Sequence, residues 1–395
     1  MPVPALRRGA LATAAAAALA LTAVAAPSAS AADTGDPLSP RQWGLDQVKA
    51  PQAWSTATGE GVTIAVLDSG VDLSHEDLDA KTLAGANFVG CADNGPCGNG
   101  DWEQPGEEGD PHGTHVAGIA AAETGNGVGV AGTARDATIL PVRVLGPEGG
   151  TFEEIAAGIY YAADQGAEVI NLSLGALPGV QGLTITGVIG EVQEAILYAR
   201  EKGSVVVAAA GNDFQFPLCG TPAFDRGALC VTATDKREAP AAYSNWGINQ
   251  DVAAVAAPGG SLLPICGEDV VSTVPAGTSR SGAACGYGDD YDEYAGTSMA
   301  TPHVAGVAAL LAELGLTDDQ IVDVLLSTSR QPLTGARGVF TPNYGWGIVD
   351  AVAAVEAALA AGGTTAGGGT SEPERSPGKS GAKGGKGDQG RQRTA

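Results

Sequence analysis

The feature that most limits what this chain can fold into is an alternation of two sequence periods. Val62–Asp68, Ala137–Leu145, Glu168–Ser173, Ser204–Ala210 and Leu229–Thr234 are apolar or β-branched runs of strand length. Between them, Val116–Ala122, Phe152–Gln165 and Gly187–Lys202 carry apolar residues at helical spacing. Strands separated by helices are joined by crossovers, and crossovers build parallel sheets covered on both faces. The expected fold class is therefore α/β, a doubly wound and mostly parallel sheet with helices on both faces. Sites in such sheets form at the carboxyl ends of strands. Asp68, which closes the first run, and Asn212, which follows another, mark that end.

The two ends of the chain read differently from its middle. Arg7 and Arg8 precede an uncharged Ala/Leu-rich run, and Ala29-Ser30-Ala31 supplies small residues at a cleavage position. Residues 1–31 are expected to be a secretory signal peptide, cut after Ala31, and the run is too short and too weakly apolar to anchor the chain in a membrane. Residues 361–395 are rich in Gly, Ser, Thr and Lys and cannot build a core, so a disordered tail is expected there. Residues 32–360 form the expected folded domain, exported, soluble and monomeric. Without Arg7, Arg8 and the six basic and three acidic residues of the tail, the remainder has 13 basic against 42 acidic residues, a balance of −29. Nucleic acid is excluded as a partner of such a surface. Six cysteines in an exported chain suggest disulfides, for which fifteen pairings exist. Nearness along the chain suggests Cys91–Cys97, Cys219–Cys230 and Cys266–Cys285. A cysteine metal site is disfavoured by the absence of any CxxC pair.

Three short words carry chemistry: Val66-Leu67-Asp68-Ser69-Gly70, His112-Gly113-Thr114-His115 and Gly296-Thr297-Ser298-Met299-Ala300. Each residue alone has an ordinary structural role: a strand-end Asp caps a turn, a lone His packs, and a Ser caps a helix. Together they offer a carboxylate, an imidazole and a hydroxyl, the parts of a nucleophilic hydrolase. His112 is expected just before the helix Val116–Ala122. Ser298 is expected at the start of an almost wholly buried helix over Met299–Ala312, where free N–H groups favour negative charge. Surface helices are expected over Asp318–Thr328 and Val349–Leu359.

The order Asp, His, Ser, within these words, resembles that of the subtilisin-like serine proteases, or subtilases, and the resemblance spans roughly Asp36 to Leu359. It implies a three-layer subtilisin-like fold and a secreted serine endopeptidase acting through an acyl-enzyme, with polypeptide substrates. Asp68, His112 and Ser298 take the triad positions, and Asn212 with the Ser298 backbone N–H forms the oxyanion hole. Gly149-Gly150-Thr151 and Ser173-Leu174-Gly175 match the two edges that sandwich an extended substrate. Gly220 matches a small residue at the base of the primary pocket, which implies broad specificity with an apolar preference. His115 and His303 are expected to be structural, and His75 carries no signal. The calcium pattern is closest to the thermitase branch. It implies Ca²⁺ held by Asp36, Asp77 and the Asn126 side chain, with carbonyls from Glu123, Val128 and Val130. A non-catalytic pseudoprotease that binds peptides or surfaces is the alternative, and a glycosidase finds no paired-carboxylate word.

Two features depart from the family pattern. Only about ten residues separate the expected cut from Gln42-Trp43-Gly44, where the domain begins, so folding without a covalent chaperone is expected. An acidic, Gly-rich insertion over Cys91–Asp110 stands directly before His112. It is expected either to overhang the cleft and favour basic flanking residues or, by preference, to be a solvated decoration.

Overall fold

The computed structural model describes residues 34–92, 95–104, 109–175, 190–214, 218–247 and 252–364. The expected signal peptide, most of the tail, the start of the helix expected from Gly187 and parts of the acidic insertion lie outside these residues.

The strands are β1 (Thr63–Asp68), β2 (Ala86–Asn87), β3 (Thr138–Arg143), β4 (Val169–Leu172), β5 (Val205–Ala209), β6 (Ala228–Thr234), β7 (Ala254–Pro258), β8 (Val270–Thr273) and β9 (Tyr291–Tyr294). The helices are α1 (Trp43–Val48), α2 (Ala50–Ala53), α3 (His112–Ala121), α4 (Phe152–Asp164), α5 (Glu191–Glu201), α6 (Gly282–Cys285), α7 (Thr297–Glu313), α8 (Asp318–Thr328) and α9 (Ala351–Ala360). Strands β1 to β7 form one parallel sheet in the order β2-β3-β1-β4-β5-β6-β7. From β1 the chain winds to one side through β2 and β3, and from β4 to the other. The expected α/β, doubly wound architecture is thus what forms.

The two cores follow from the period of two along each strand. Ile64 and Val66 of β1, Val205 and Val207 of β5 and Leu229 and Val231 of β6 face one core, with residues of α3, α7, α8 and α9. Ala65 and Leu67, Val206 and Ala208, and Ala228 and Cys230 face the other, against α4 and α5. Strands buried on both faces carry apolar residues at every position, which is why these runs are continuous rather than alternating. Helix α7 runs through the first core, with Met299 through Leu311 buried. Thr151 and Glu154 start α4 with a reciprocal capping box, and Thr317 and Gln320 do the same for α8.

Several elements differ from the sequence expectations. Helix α3 begins at His112, not Val116, because the Asp110 carboxylate accepts the His112 N–H at 3.0 Å and satisfies a donor at the helix start. Gly113 lets that turn sit against the first strand's loop; a Cβ there would lie 2.2 Å from the Gly70 carbonyl oxygen. Strand β7 and the antiparallel hairpin β8–β9 have no counterpart among the expected elements. The hairpin is tied to α3 by the Ser272 and Thr273 hydroxyls, which donate to the His115 and Thr114 carbonyls at 2.8 Å. The described part of the acidic insertion is docked rather than loose. Val71 N–H donates to Gly100 O at 2.9 Å, and Trp102 N–H to Val71 O at 3.2 Å. Disulfides join Cys91 to Cys97, Cys219 to Cys230 and Cys266 to Cys285. No helix among the described residues is long and apolar enough to cross a membrane.

Candidate active site

Asp68 ends β1 with its side chain fully buried, and its Oδ1 accepts from the Ser69 N–H at 2.8 Å and from His112 Nδ1 at 2.7 Å. His112, the first residue of α3, thereby has Nδ1 engaged and Nε2 as its other reactive atom. Burial by itself would lower the imidazole pKa. The Asp68 charge and hydrogen bond, aided by Asp110, outweigh it and hold His112 above its ordinary value.

Ser298 is the second residue of α7, close to Gly296. His112, Asn212 and Ser298 open onto one cavity of about 500 Å³. Sequence positions 68, 112 and 298 are thus brought to one end of the sheet. In this arrangement the Ser298 hydroxyl donates to the Ser173 carbonyl at 3.1 Å and makes no hydrogen bond to His112. Asp68 and His112 are thus hydrogen-bonded to each other, while the Ser298 hydroxyl is directed to the Ser173 carbonyl.

Asn212 lies beyond the end of β5. Its Oδ1 accepts from the Thr297 N–H at 2.9 Å and from the Thr297 hydroxyl at 3.0 Å, which leaves the amide nitrogen to face the cleft. A Cβ built on Gly296 would sit 3.5 Å from Asn212 Nδ2 and 3.6 Å from Ser298 N. The Asn212 amide nitrogen and the Ser298 N–H thus lie on the same side of Gly296, beside the serine. Such a pair can stabilise an oxyanion.

On the other side of Ser298, Gly149 and Gly150 face Leu174 and Gly175 across a cavity of about 520 Å³, walled also by Thr221 and Pro222. The backbone of this edge is partly engaged. Gly149 exchanges both hydrogen bonds with Gly146, and Thr151 donates its N–H to its own capping partner Glu154 at 2.7 Å. Of that edge, Gly150 alone has both backbone groups unengaged among the described residues. Gly220 lies behind the wall, where its N–H donates to Ala210 O at 2.7 Å.

The remaining histidines are buried and locally bonded. His115 Nε2 bonds to Asp292 O at 3.2 Å, and burial, reinforced by the His112 charge, lowers its pKa to about 3. His303 bonds to Met299 O at 2.9 Å and burial lowers it to about 4. His75, which gives no signal in the sequence, accepts the Asp77 N–H on Nδ1 at 3.1 Å and so donates from Nε2 to Asp290 O at 3.0 Å.

The residues expected to bind calcium surround the loop 123–130. Asp36 accepts the N–H groups of Gly125 and Gly127, and Asp77 accepts those of Val130, at 2.8 Å, and the Asn126 amide, at 2.9 Å. Burial pushes the Asp77 carboxyl up to about 7, with the Asp36 charge adding to it. The carbonyls of Glu123, Val128 and Val130 accept no hydrogen bond among the described residues. The Asn126 oxygen accepts the Val128 N–H at 2.9 Å, and turning the amide by half a turn would exchange that bond for a place beside Asp77. Hard oxygen donors around uncompensated carboxylates fit Ca²⁺. The only cluster of three His, Cys, Asp or Glu groups among the described residues is Cys266, Cys285 and Glu293, whose sulfurs are joined in a disulfide.

The sequence matches the Subtilase family over residues 59–347. The chain belongs to the subtilase family. It is 43% identical to thermitase of Thermoactinomyces vulgaris over 293 residues, 74% of this chain and 89% of that protein. It is 40% identical to an extracellular protease of Xanthomonas campestris over 336 residues, 78% of this chain but 53% of that longer protein. Among solved structures it resembles a protease from Pseudoalteromonas arctica, with a TM-score of 0.67 and 37% identity over 82% of this chain and 99% of that one. This subtilase is a serine protease of the subtilisin type with the family's three-layer α/β fold, and its substrates are polypeptides.

Proposed function

We propose that this subtilase is a secreted, broad-specificity endopeptidase that works through Asp68, His112 and Ser298. Ser298 Oγ rotates toward His112 Nε2, passes its proton to it and bonds to the scissile carbonyl carbon. Asp68 holds the imidazole in the required tautomer and stabilises its charged form. The oxyanion is held by Asn212 Nδ2 and the Ser298 N–H. The C–N bond then breaks as His112 Nε2 protonates the leaving amine. A water, deprotonated by the same nitrogen, releases the acyl group and restores the serine. The single observation that carries this reading is the 2.7 Å bond from the buried Asp68 to His112, which opens onto a cavity shared with Ser298 and Asn212.

The acyl side of the substrate lies extended between Gly150 and the Ser173-Leu174-Gly175 edge, with Gly149 and Thr151 shaping the rim and Gly220 backing the primary pocket. The apolar lining at Leu145, Phe152, Ile155 and Leu174 supports a preference for apolar side chains there. Asp36, Asp77, the Asn126 side chain and the carbonyls of Glu123, Val128 and Val130 would hold Ca²⁺, which would supply structural chemistry there by neutralising the two carboxylates and tying the loop. Residues 1–31 direct export, 32–360 form the protease and 361–395 form a tail without catalytic role. The extracellular relative from Xanthomonas campestris supports secretion.

Labelling with a fluorophosphonate tests the reading. The wild-type chain is expected to take up one label, located on Ser298, and Ser298→Ala none. Equal labelling of both, or of neither, overturns it.

A further inference from the structure

The chemistry divides the cleft into two halves. The imidazole that takes the Ser298 proton must hand it to the departing amine, so the segment after the cut lies on the His112 side. The cavity of about 500 Å³ contains both His112 and Ser298, whereas a second one, of about 210 Å³, has Ser298, Leu174 and Gly175 but not His112. The departing segment therefore enters the former, whose rim carries Leu262.

Leu262 is held where leucine is costly. Its φ is +61°, in the left-handed region that glycine prefers, and 55% of its surface is exposed. Leu263 and Ile265 beside it are also exposed. The loop is nonetheless firmly tied. Asp269 Oδ1 accepts the N–H groups of Ser261 at 2.7 Å and Leu262 at 3.0 Å, and the Cys266–Cys285 disulfide closes the far end. Glu293 takes the Gly267 N–H at 2.6 Å, and Lys236 reaches the Gly267 carbonyl at 3.0 Å. A strained backbone displaying an apolar side chain to solvent, braced on every side, marks a position kept for use rather than for stability.

The acidic residues of this cavity are engaged in building it, and the exposed one, Asp110, accepts the His112 N–H at 3.0 Å. Asp269 is engaged by the loop. Asp292 is fully buried and accepts from the Arg280, Ser281 and Glu293 N–H groups and the Ser281 hydroxyl. Glu293 also accepts the Tyr287 hydroxyl at 3.1 Å. These carboxylates build the wall, and Leu262, Tyr294 and Met299 supply its apolar surface.

We propose that Leu262 determines specificity on the leaving-group side, seating an apolar side chain from the first two residues after the scissile bond. The proposal rests on the roles of Ser298 and His112 given above. Three quenched peptides, identical up to the cut and followed by Leu-Leu, Ser-Ser or Lys-Lys, test it. Wild type is expected to favour Leu-Leu over Ser-Ser by about tenfold in kcat/KM, the range that a small apolar contact supplies. Leu262→Ser and Leu262→Gly are expected to bring that ratio to about two, while Leu333→Ser, an exposed leucine remote from the cleft, leaves it at the wild-type value. Leu262→Gly is expected to melt no lower than wild type, because glycine takes this φ without strain, so its lost preference would not be a folding effect. An unchanged Leu-Leu preference in both variants, or a wild-type preference for Lys-Lys, overturns the proposal. If wild type still takes up the fluorophosphonate, only this inference has failed. A wild type that neither labels nor cleaves overturns the catalytic assignment beneath it.

Discussion

Ser173 and Ser298 hold each other through an exchange that begins with a proline. Pro302 has no N–H, so the Ser298 carbonyl four residues earlier loses its helical partner. The Ser173 hydroxyl donates to that carbonyl at 2.8 Å, and the Ser298 hydroxyl donates back to the Ser173 carbonyl at 3.1 Å. Ser173→Ala is therefore expected to leave a polar group unpaired beside the proposed nucleophile and to destabilise the fold by about 1–3 kcal/mol. Thermal melting measures this, and an unchanged midpoint would mean that the carbonyl needs no donor. With His112 as the proposed base, the pH dependence of catalysis follows from the neighbours of its imidazole. Asp68 and Asp110 favour its charged form more than burial opposes it, so the neutral base becomes the major form only at a pH above the ordinary histidine value of 6.5. The rising limb of kcat/KM against pH should have its midpoint above that value. Asp110→Asn keeps an oxygen for the His112 N–H but removes the charge, so it should move the limb to lower pH. A limb that stays in place would show that Asp110 acts only as the helix cap.

The loop that carries Asp225 shows how burial can oppose ionisation within an element. It follows the wall residues Thr221 and Pro222; Asp225 is 4% exposed, accepts weakly from the Thr221 hydroxyl at 3.4 Å and leaves Oδ2 without a partner among the described residues. Burial pushes its pKa from 3.8 to about 6, against the Thr221 bond. The folded chain thus binds this proton more tightly than the unfolded one, and stability falls as pH rises from 3.8 through 6. Asp225→Asn should be more stable than wild type at pH 8 by about 1–3 kcal/mol, with the difference vanishing below about pH 4. Equal melting of the two at pH 8 would count against it. Beside the loop 123–130 burial likewise opposes ionisation of Asp77, with the Asp36 charge adding to it, and a bound cation would favour the charged forms. A chelator is expected to lower the melting temperature of wild type, and Asp77→Asn to melt low with or without chelator. Indifference of wild type to saturating chelator would remove calcium from the account. Elements are legible from sequence in proportion to how locally they are determined. Strands β1, β3, β4, β5 and β6 are readable because two-sided burial fills them with Val, Ile, Leu and Ala. β7 reads Ala-Val-Ala-Ala-Pro, too short and alanine-rich to tell from a helix, and β2 has only two residues. The α3 start is hidden because Gly113 disfavours a helix, while the bonds that overrule it come from Asp110 and from the distant Ser69, whose hydroxyl accepts the Gly113 N–H at 3.0 Å. In the site, the identities of Asp68, His112, Ser298 and Asn212 are readable as words. The rotamer of Ser298, the engagement of Gly149 and Thr151 and the bonded His75 are not, since each depends on a partner brought near by folding.

Viewed as one molecule, the chain places its disulfides at very different depths, and this sets an order of reduction. Cys219 and Cys230 are 1% and 0% exposed, and their bridge ties the segment after β5 to β6 within the core against α4 and α5. Cys91–Cys97 lies in the insertion before His112, and Cys266–Cys285 closes the Leu262 loop; each has one exposed and one half-buried cysteine. A reducing thiolate must reach a sulfur along the S–S axis, so access governs the rate while the fold is intact. The two outer bridges can open by local motion of their loops, whereas the inner one requires the sheet and its helices to separate, an event that costs the global stability. Treatment with a mild thiol reductant followed by alkylation and mass spectrometry should therefore label Cys91, Cys97, Cys266 and Cys285 in the folded protein, and Cys219 and Cys230 only after denaturant is added. Because the Cys266–Cys285 bridge braces the Leu262 loop and not the Asp68–His112 pair, fluorophosphonate uptake should survive this first stage of reduction while the preference for apolar leaving groups declines. Labelling of Cys219 before the outer pairs would mean that the sheet opens more readily than its edges, against the burial of every residue of β5 and β6.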